Sequence, residues 1–170
     1  MELFLMRHAE AEPPTLYAED RQRPLSPHGL LSHERVARQL APLLRPLDHL
    51  LTSPYLRARQ TADIIAAAIA MTPEETSLLA EDCTPGAVLN QLATYPPDAR
   101  LLCVGHEPHM SRLSALFLDG EGRSVLAFQP GSVSSLTFRG HPRIGLGTLQ
   151  FFLRPEDLLT LARETSAPTE

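Results

Sequence analysis

Short apolar blocks alternate with longer amphipathic stretches along the chain, and this alternation predicts its strands and helices. Three apolar runs that stop at polar residues predict buried strands at residues 3–6, 49–52 and 101–104. A further run at residues 77–79 is weakly strand-like. In the last quarter, runs rich in β-branched and aromatic residues, with glycines between them, predict strands at residues 125–128, 133–138 and 148–153.

Capping residues followed by proline predict where three helices begin. Ser26, Ser53 and Thr84 each precede a proline, which pairs an N-cap side chain with a preorganised first helical residue. These helices are predicted to extend up to the proline at position 46, to residue 70 and to residue 92. Two more begin at the prolines at positions 108 and 155 and end near residues 118 and 163, whereas the polar, proline-bearing residues 10–23 predict a loop.

Strands that alternate with helices are typical of an α/β fold. We therefore expect a three-layer sandwich, with a mostly parallel central sheet and helices on both faces. No internal repeat or linker interrupts the pattern. This predicts a single domain over residues 1–164 and a frayed tail over residues 165–170.

Composition narrows the class of protein. The chain has 170 residues, of which 43% are hydrophobic and 21% charged, and its formal net charge is −5. It has the length of one domain and is too apolar for a disordered chain. The negative charge balance argues against a nucleic-acid partner. All 15 basic residues are arginine, and a few of them lie where a planar, permanently charged side chain would be useful.

Targeting signals are not apparent in the sequence. The N-terminal residues lack a signal-peptide pattern, and no apolar run approaches the ~20 residues of a membrane helix. Cys83 and Cys103 are too few for a metal or disulfide framework, and Cys103 is most simply a small core residue. We therefore expect a cytoplasmic protein without a membrane contact.

Cationic residues follow three of the predicted strands. Arg7 and His8 end the first, Arg57 comes shortly after the second, and His106 ends the third. In an open α/β sheet, ligands bind beyond the carboxyl ends of the strands, so parallel neighbours would bring these side chains into one pocket. Two guanidiniums and two imidazoles beside helix N-termini predict a site for a small dianion, most naturally a phosphoryl group.

An imidazole in such a pocket has two possible roles. A neutral imidazole is a good nucleophile toward phosphorus, and nearby guanidiniums disfavour its protonation by like-charge repulsion. The second imidazole can be a cationic donor that stabilises the group being transferred.

The order of these motifs resembles the histidine phosphatase superfamily, also called the phosphoglycerate mutase-like family. The resemblance is carried by Arg7-His8, by the segment SPYLRARQT at residues 53–61, and by Gly105-His106. The loop sequence RPLS at residues 23–26, followed by Gly29, is similar to the small bacterial SixA-type phosphohistidine phosphatases. The motifs span residues 1 to about 118, and beyond residue 124 the similarity is only architectural.

The resemblance implies roles for individual residues. His8 matches the nucleophile that forms a phosphohistidine intermediate. Arg7, Arg57 and His106 match phosphate-pocket positions, and Arg23 matches a further arginine that faces the phosphate in the small branch. The resemblance implies neither a metal nor an organic cofactor.

Two features depart from the family pattern. Ala9 follows the nucleophile position where glycine is usual, which is tolerated unless that position needs a positive φ. The general acid of larger members has its best positional match in Glu81, with Asp82 beside it, although the surrounding motif is degenerate. A phosphoramidate leaves readily once its nitrogen is protonated, so a weak acid motif favours a phosphohistidine substrate.

Three functions remain open on the sequence. The leading one is a phosphatase that cleaves phosphohistidine on a protein phosphotransfer partner, because the loops are too short to enclose a small substrate. The second applies the same chemistry to a small phosphomonoester, such as a sugar phosphate or a nucleotide, and it requires a working general acid. The third is a non-catalytic module that binds phosphorylated partners, for which Ala9 is the supporting feature.

Other polar residues have plainer interpretations. The spacing of His106, Glu107 and His109 superficially suggests a metal site, but Pro108 disrupts the helical geometry and we expect no metal there. Arg59 is expected on the surface, and so are four histidines: His28, His33, His49 and His141.

The loop between the first strand and the first helix is acidic. Its carboxylates are either only solvated, or they help to reject small anions near a phosphate pocket. These residues are Glu10, Glu12, Glu19 and Asp20.

Overall fold

The computed structural model describes residues 1–80 and 83–164, so the predicted tail at residues 165–170 lies outside the described residues. Within this range a sheet of six strands has the order β3-β2-β4-β1-β5-β6. Strands β1 to β4 are parallel to one another, and β5 runs antiparallel to β1 and to β6. The strands are β1 (Glu2–Arg7), β2 (His49–Thr52), β3 (Glu74–Glu75), β4 (Arg100–Gly105), β5 (Val133–Thr137) and β6 (Thr148–Leu153).

Five α-helices connect or follow the described strands. Two of them have the predicted side-chain caps, because the Ser26 side chain accepts a hydrogen bond from the Gly29 amide and the Thr84 side chain accepts one from the Ala87 amide. The helices are α1 (Pro27–Leu44), α2 (Leu56–Ile69), α3 (Pro85–Leu92), α4 (His109–Asp119) and α5 (Pro155–Glu164).

The central strand β1 divides the hydrophobic core in two. Phe4 and Met6 pack on one face of the sheet with residues of α1, α2 and α5. Leu3 and Leu5 point to the opposite face and pack with residues of α3 and α4. All four side chains are fully buried. Alternate residues of a strand point to opposite faces, so this arrangement confirms the three-layer sandwich.

Two predicted strands are wrong. Residues 77–79 form a short 3-10 turn, which the Thr76 side chain caps by accepting a hydrogen bond from the Leu78 amide. Residues 125–128 form no strand, and Val125 is largely exposed. The two-residue edge strand β3 was not predicted, because both of its glutamates are exposed and no apolar residue marks it.

The expected position of His33 is also wrong. His33 is 1% exposed, because it lies on the same face of α1 as Val36, Ala37 and Leu40, one turn or two along the helix. His28 and His141 are exposed as expected, and His49 is partly exposed. None of the described helices has the length and apolar character needed to cross a membrane.

Two connections differ from their predictions in ways that shape the site. Helix α2 begins at Leu56, with Tyr55 rather than Ser53 at its N-cap position. The loop after β1 contains two short 3-10 turns, Pro14–Leu16 and Asp20–Gln22. Its two ends are joined by a bridge between Ala11 and Leu25.

Candidate active site

The carboxyl ends of β1, β2 and β4 form one edge of the sheet. Arg7 pairs in register with Gly105, so the residues that follow these strands, His8 and His106, are neighbours. Their ring centroids are 5.1 Å apart. Arg57, on the first turn of α2, reaches the same point and is 1% exposed. The structure therefore brings together the cationic residues that the strand ends predicted.

Hydrogen bonds determine the tautomer of His8. Its Nδ1 lies 2.7 Å from the carbonyl oxygen of Ala9, which can only accept a hydrogen bond, so Nδ1 carries the proton. Arg57 Nε, which can only donate, lies 3.2 Å from His8 Nε2. Consequently, Nε2 keeps its lone pair and is the nitrogen available as a nucleophile.

The surroundings of His8 also keep it neutral. Burial is the main cause that lowers the pKa of its imidazole to about 3, and the charges of Arg57, Arg7 and Arg23 lower it further. The hydrogen bond to the Ala9 carbonyl opposes this effect without overcoming it. The repulsion expected from the sequence is therefore present, and at neutral pH the imidazole is unprotonated.

His106 lies beside His8 in a neutral form. Its Nε2 is 2.7 Å from Ser53 Oγ, and the Tyr55 ring packs against it with centroids 4.8 Å apart. Burial, and then the nearby His8 and Arg57, lower the pKa of His106 well below its usual range. The cationic donor expected here is therefore not the state that the chain itself favours, and protonation would need the negative charge of a bound phosphoryl group.

Arg7 has one donor that is paired and one that is not. Its Nη1 donates to the Phe128 carbonyl at 2.8 Å, whereas its buried Nε has no hydrogen-bond partner among the described residues. Burial lowers the pKa of Arg7, as does Arg57, while the carboxylate of Glu107 raises it. A buried N–H without an acceptor is rare, and an anion would satisfy it.

Arg23 contributes its charge to the same site. Its positive charge is one of those that lower the pKa of His8. Its Nε donates to Asp20 Oδ1 at 2.8 Å, and its Nη1 donates to the Glu12 carbonyl at 3.0 Å. The nearby Arg21 instead lies over the Tyr55 ring, 6.0 Å from its centroid. Arg23 is thus the arginine of this loop that the structure associates with His8.

Glu81, the candidate general acid, and its neighbour Asp82 lie outside the described residues. Arg59 is half-exposed and forms an ion pair with Glu75 at 2.8 Å, as expected for a surface arginine.

Asp20 is a site residue that the sequence suggested only as part of an acidic loop. Its backbone carbonyl accepts a hydrogen bond from Arg57 Nη1 at 2.8 Å. Its carboxylate Oδ2 lies 2.9 Å from Arg57 Nη2. These contacts hold the 3-10 turn Asp20–Gln22 against the first turn of α2.

Two residues of the SPYLRARQT segment connect the site's loops, although no role was predicted for them. Thr61 Oγ1 accepts a hydrogen bond from the Ala9 amide at 3.0 Å and donates to the Arg57 carbonyl at 2.7 Å. Gln60 Oε1 accepts from the Leu25 amide at 2.7 Å. Their place inside the most specific motif of the sequence was the signal that could have revealed them.

Comparison with known proteins identifies the family of this site. A model of the histidine phosphatase superfamily (branch 1) matches residues 3–84, which contain four of the five predicted pocket residues. The chain belongs to the histidine phosphatase superfamily. It is a phosphatase, and its relatives support the SixA-type branch of this superfamily.

Relatives of this phosphatase match over most of its length. It is 40% identical to an uncharacterised protein of Picosynechococcus over 131 residues, covering 75% of this chain and 74% of the relative. It is 28% identical to the phosphohistidine phosphatase SixA of Escherichia coli, covering 93% and 96% of the two chains. The structure of the protein histidine phosphatase SixA complexed with tungstate superposes with a TM-score of 0.81 at 26% identity, covering 93% and 99%.

The phosphatase tolerates Ala9 for a structural reason. In the part of the chain that the structure describes, Ala70 is the one residue other than glycine with a positive φ, so Ala9 has an ordinary backbone conformation. Gly29, in contrast, is required by close packing, because a Cβ atom there would lie 2.0 Å from the Glu10 carbonyl oxygen. That carbonyl also accepts a hydrogen bond from the Ser26 amide at 3.0 Å.

The spacing of His106, Glu107 and His109 forms no metal site of the kind that the sequence superficially suggested. Across residues 1–80 and 83–164, no three His, Cys, Asp or Glu side chains are placed to hold a metal ion. His109 is buried, and burial followed by the charge of Arg112 lowers its pKa.

Proposed function

We propose that this phosphatase hydrolyses phosphohistidine on a protein phosphotransfer partner, with His8 as the nucleophile. The observation that carries the proposal is the unprotonated Nε2 of His8, held in one tautomer and surrounded by guanidiniums. The SixA proteins to which the chain is similar are named as phosphohistidine phosphatases, which supports this substrate class.

In the first step, His8 Nε2 attacks phosphorus in line with the bond that breaks. The new Nε2–P bond forms as the P–N bond of the substrate breaks. The substrate's imidazole takes the electron pair and departs neutral when its other ring nitrogen is protonated. Arg7, Arg23 and Arg57 hold the phosphoryl oxygens through charge-assisted hydrogen bonds, and His106 donates a further one.

The Ala9 carbonyl has a distinct part in this step. Phosphorylation of Nε2 makes the His8 ring cationic, with its proton on Nδ1. The carbonyl oxygen that lies 2.7 Å from Nδ1 then stabilises that charge. The contact that sets the tautomer of the free enzyme thus also supports the intermediate.

In the second step, water attacks phosphorus and the Nε2–P bond breaks. His8 returns to its neutral form, and the product is dihydrogen phosphate, which loses a proton to solvent at neutral pH. No general acid is needed for either leaving group, since both are imidazoles that leave neutral. A phosphomonoester would instead release an alkoxide, which requires an acid, and Glu81 remains the predicted candidate for it.

Rapid-quench trapping tests the proposal. Radiolabelled phosphohistidine protein is expected to leave an acid-labile, alkali-stable label on the wild-type enzyme and none on His8→Ala. His141→Ala is a matched control, because this histidine is exposed and its Nε2 lies 3.0 Å from the carbonyl oxygen of Tyr95. A label that persists in His8→Ala would contradict the mechanism. Higher kcat/KM for phosphosugars or nucleotides than for the phosphohistidine protein would contradict the substrate class.

A further inference from the structure

A carboxylate of the chain itself lies on the guanidiniums to which the proposed function assigns the phosphate. Asp20 Oδ1 is 2.8 Å from Arg23 Nε, and Asp20 Oδ2 is 2.9 Å from Arg57 Nη2. Each of its two oxygens thus contacts a different arginine. A phosphoryl group that bound both arginines would compete for the same N–H donors.

The placement of Asp20 allows it to be displaced. Its side chain is 46% exposed, whereas that of Arg57 is 1% exposed, so the carboxylate lies at the mouth of the pocket and its partner lies inside. It belongs to the short turn Asp20–Gln22 in the loop after β1, not to the sheet or to a long helix. A rotation of this side chain toward solvent would make Arg57 Nη2 and Arg23 Nε available to another anion, while the contacts of both arginines with backbone carbonyls remain.

The carboxylate is ionised at neutral pH. Its partial burial alone would raise the pKa of Asp20, but hydrogen bonding from Arg23 and the charge of Arg57 outweigh burial and lower it. The negative charge of Asp20 also acts on His106. It raises the pKa of that imidazole, against the larger lowering caused by burial. The two arginines therefore have a negatively charged partner at neutral pH.

We propose that Asp20 is a specificity residue that competes with incoming anions for Arg57 and Arg23. This inference rests on the proposed role of these two arginines in binding phosphate. A carboxylate ligand would only replace one carboxylate with another, so it would gain little. A phosphoryl group has more charge and three equatorial oxygens, so it gains from the exchange. Asp20 thereby raises the intrinsic affinity that any anion needs to occupy the site, which a carboxylate does not reach, and it weakens retention of the phosphate product.

A purely structural role for Asp20 predicts the opposite result. If Asp20 served to hold Arg57 and Arg23 in place, its loss would let both side chains move and phosphate would bind more weakly. The sign of the change in phosphate affinity therefore separates the two roles.

Calorimetric titration with inorganic phosphate and with acetate measures this sign. Asp20→Asn is expected to bind phosphate about three- to tenfold more tightly, the range expected for a half-exposed ion pair to a buried guanidinium. Acetate binding should also tighten, and the KM for phosphohistidine protein should fall. Glu19→Gln is the matched control, because it removes one charge from the adjacent exposed position.

Two further variants make the outcomes distinct. Asp20→Ala should change affinity in the same direction as Asp20→Asn, and thermal unfolding checks that both variants are folded. Unchanged or weaker phosphate binding in these variants would overturn the inference. If Arg57→Lys leaves phosphate affinity unaltered, the proposed phosphate site itself fails. If neither the wild type nor any variant binds phosphate, both proposals are wrong.

Discussion

Replacing Thr61 with valine tests how the nucleophile is held. Thr61 is fully buried and joins the loop after β1 to the first turns of α2. Its hydroxyl accepts a hydrogen bond from the Ala9 amide and donates one to the Arg57 carbonyl. Valine has nearly the same shape as threonine, so Thr61→Val removes these two hydrogen bonds while the packing is retained.

The cost follows from the group left without a partner. The Ala9 amide would remain buried without an acceptor, which costs about 1–3 kcal/mol in unfolding free energy. The Arg57 carbonyl loses less, because it lies within a helix and keeps its backbone hydrogen bond. For a domain of this size, a loss of ~2 kcal/mol lowers Tm by about 4–8 °C.

Activity should fall more than stability alone suggests. The Ala9 residue whose amide is released also provides the carbonyl that holds His8 Nδ1. A small movement there turns the imidazole away from its attack direction, and a misplacement of this kind costs about 10- to 100-fold in kcat. The assays are thermal unfolding and steady-state turnover of a phosphohistidine protein.

Thr61→Ser is the matched control, because it keeps the hydroxyl and loses one methyl group. It should lose about 1 kcal/mol of stability and retain a kcat near that of the wild type. If Thr61→Val has the same kcat as Thr61→Ser, the hydroxyl does not position His8 and the reasoning is refuted.

Three further predictions follow from the packing of single residues. Arg57→Lys should lower kcat/KM for phosphohistidine about 100-fold or more, because lysine cannot replace its fork of donors, whereas Arg59→Lys should leave kcat/KM unchanged. Gly29→Ala should lose about 1–3 kcal/mol in urea unfolding, because its Cβ would overlap a carbonyl oxygen, while a Cβ at Gly86 meets nothing within 4 Å and Gly86→Ala should be neutral or stabilising. Burial lowers the pKa of His33 from 6.5 to about 4, so His33 takes up a proton in the unfolded state at a higher pH than in the folded state. The free energy of unfolding should therefore fall by up to about 3 kcal/mol as pH drops from 6.5 to 4. His33→Leu should remove that part of the pH dependence, and an unaltered pH profile would contradict it.

Elements with a strong apolar signal could be predicted from the sequence. The runs at residues 3–6 and 101–104 lie inside β1 and β4, because both strands are buried on two faces and tolerate only apolar residues. The strand β3 has no such signal, since its two exposed glutamates depend on pairing with β2. The apolar residues at positions 125–128 predicted a strand wrongly, because this segment does not pair with any strand of the sheet.

The start of α2 shows how a site can override a local signal. Ser53 followed by proline is a sound helix-start pattern, yet Ser53 Oγ lies 2.7 Å from His106 Nε2 and the helix begins three residues later. The Ser53 hydroxyl contacts a histidine 53 positions away and accepts a hydrogen bond from the Tyr55 amide, ahead of the first helical residue. Local propensity cannot show such a contact, because it depends on how β2 and β4 are paired.

The contact between Asp20 and Arg57 could not be predicted from the sequence for a similar reason. The two residues are 37 positions apart, and the path of the intervening loop and helix decides whether they meet. The neutral state of His106 was equally hidden, since burial is its main cause and the folded structure decides which residues are buried. The positions of the strand ends predicted which side chains lie close together. They did not predict which hydrogen bonds these side chains form or which of them are charged.

The SPYLRARQT segment is specific because four of its polar residues each hold a different part of the site. Ser53 contacts His106, Arg57 contacts His8, Gln60 contacts the Leu25 amide and Thr61 contacts the Ala9 amide. The residues at positions 60 and 61 follow position 57 by three and four residues, so both lie beside Arg57 on one face of α2. One turn of a helix thus connects the nucleophile with both ends of the loop after β1, the loop that carries Arg23. A substitution in this turn should therefore affect the nucleophile and this loop together.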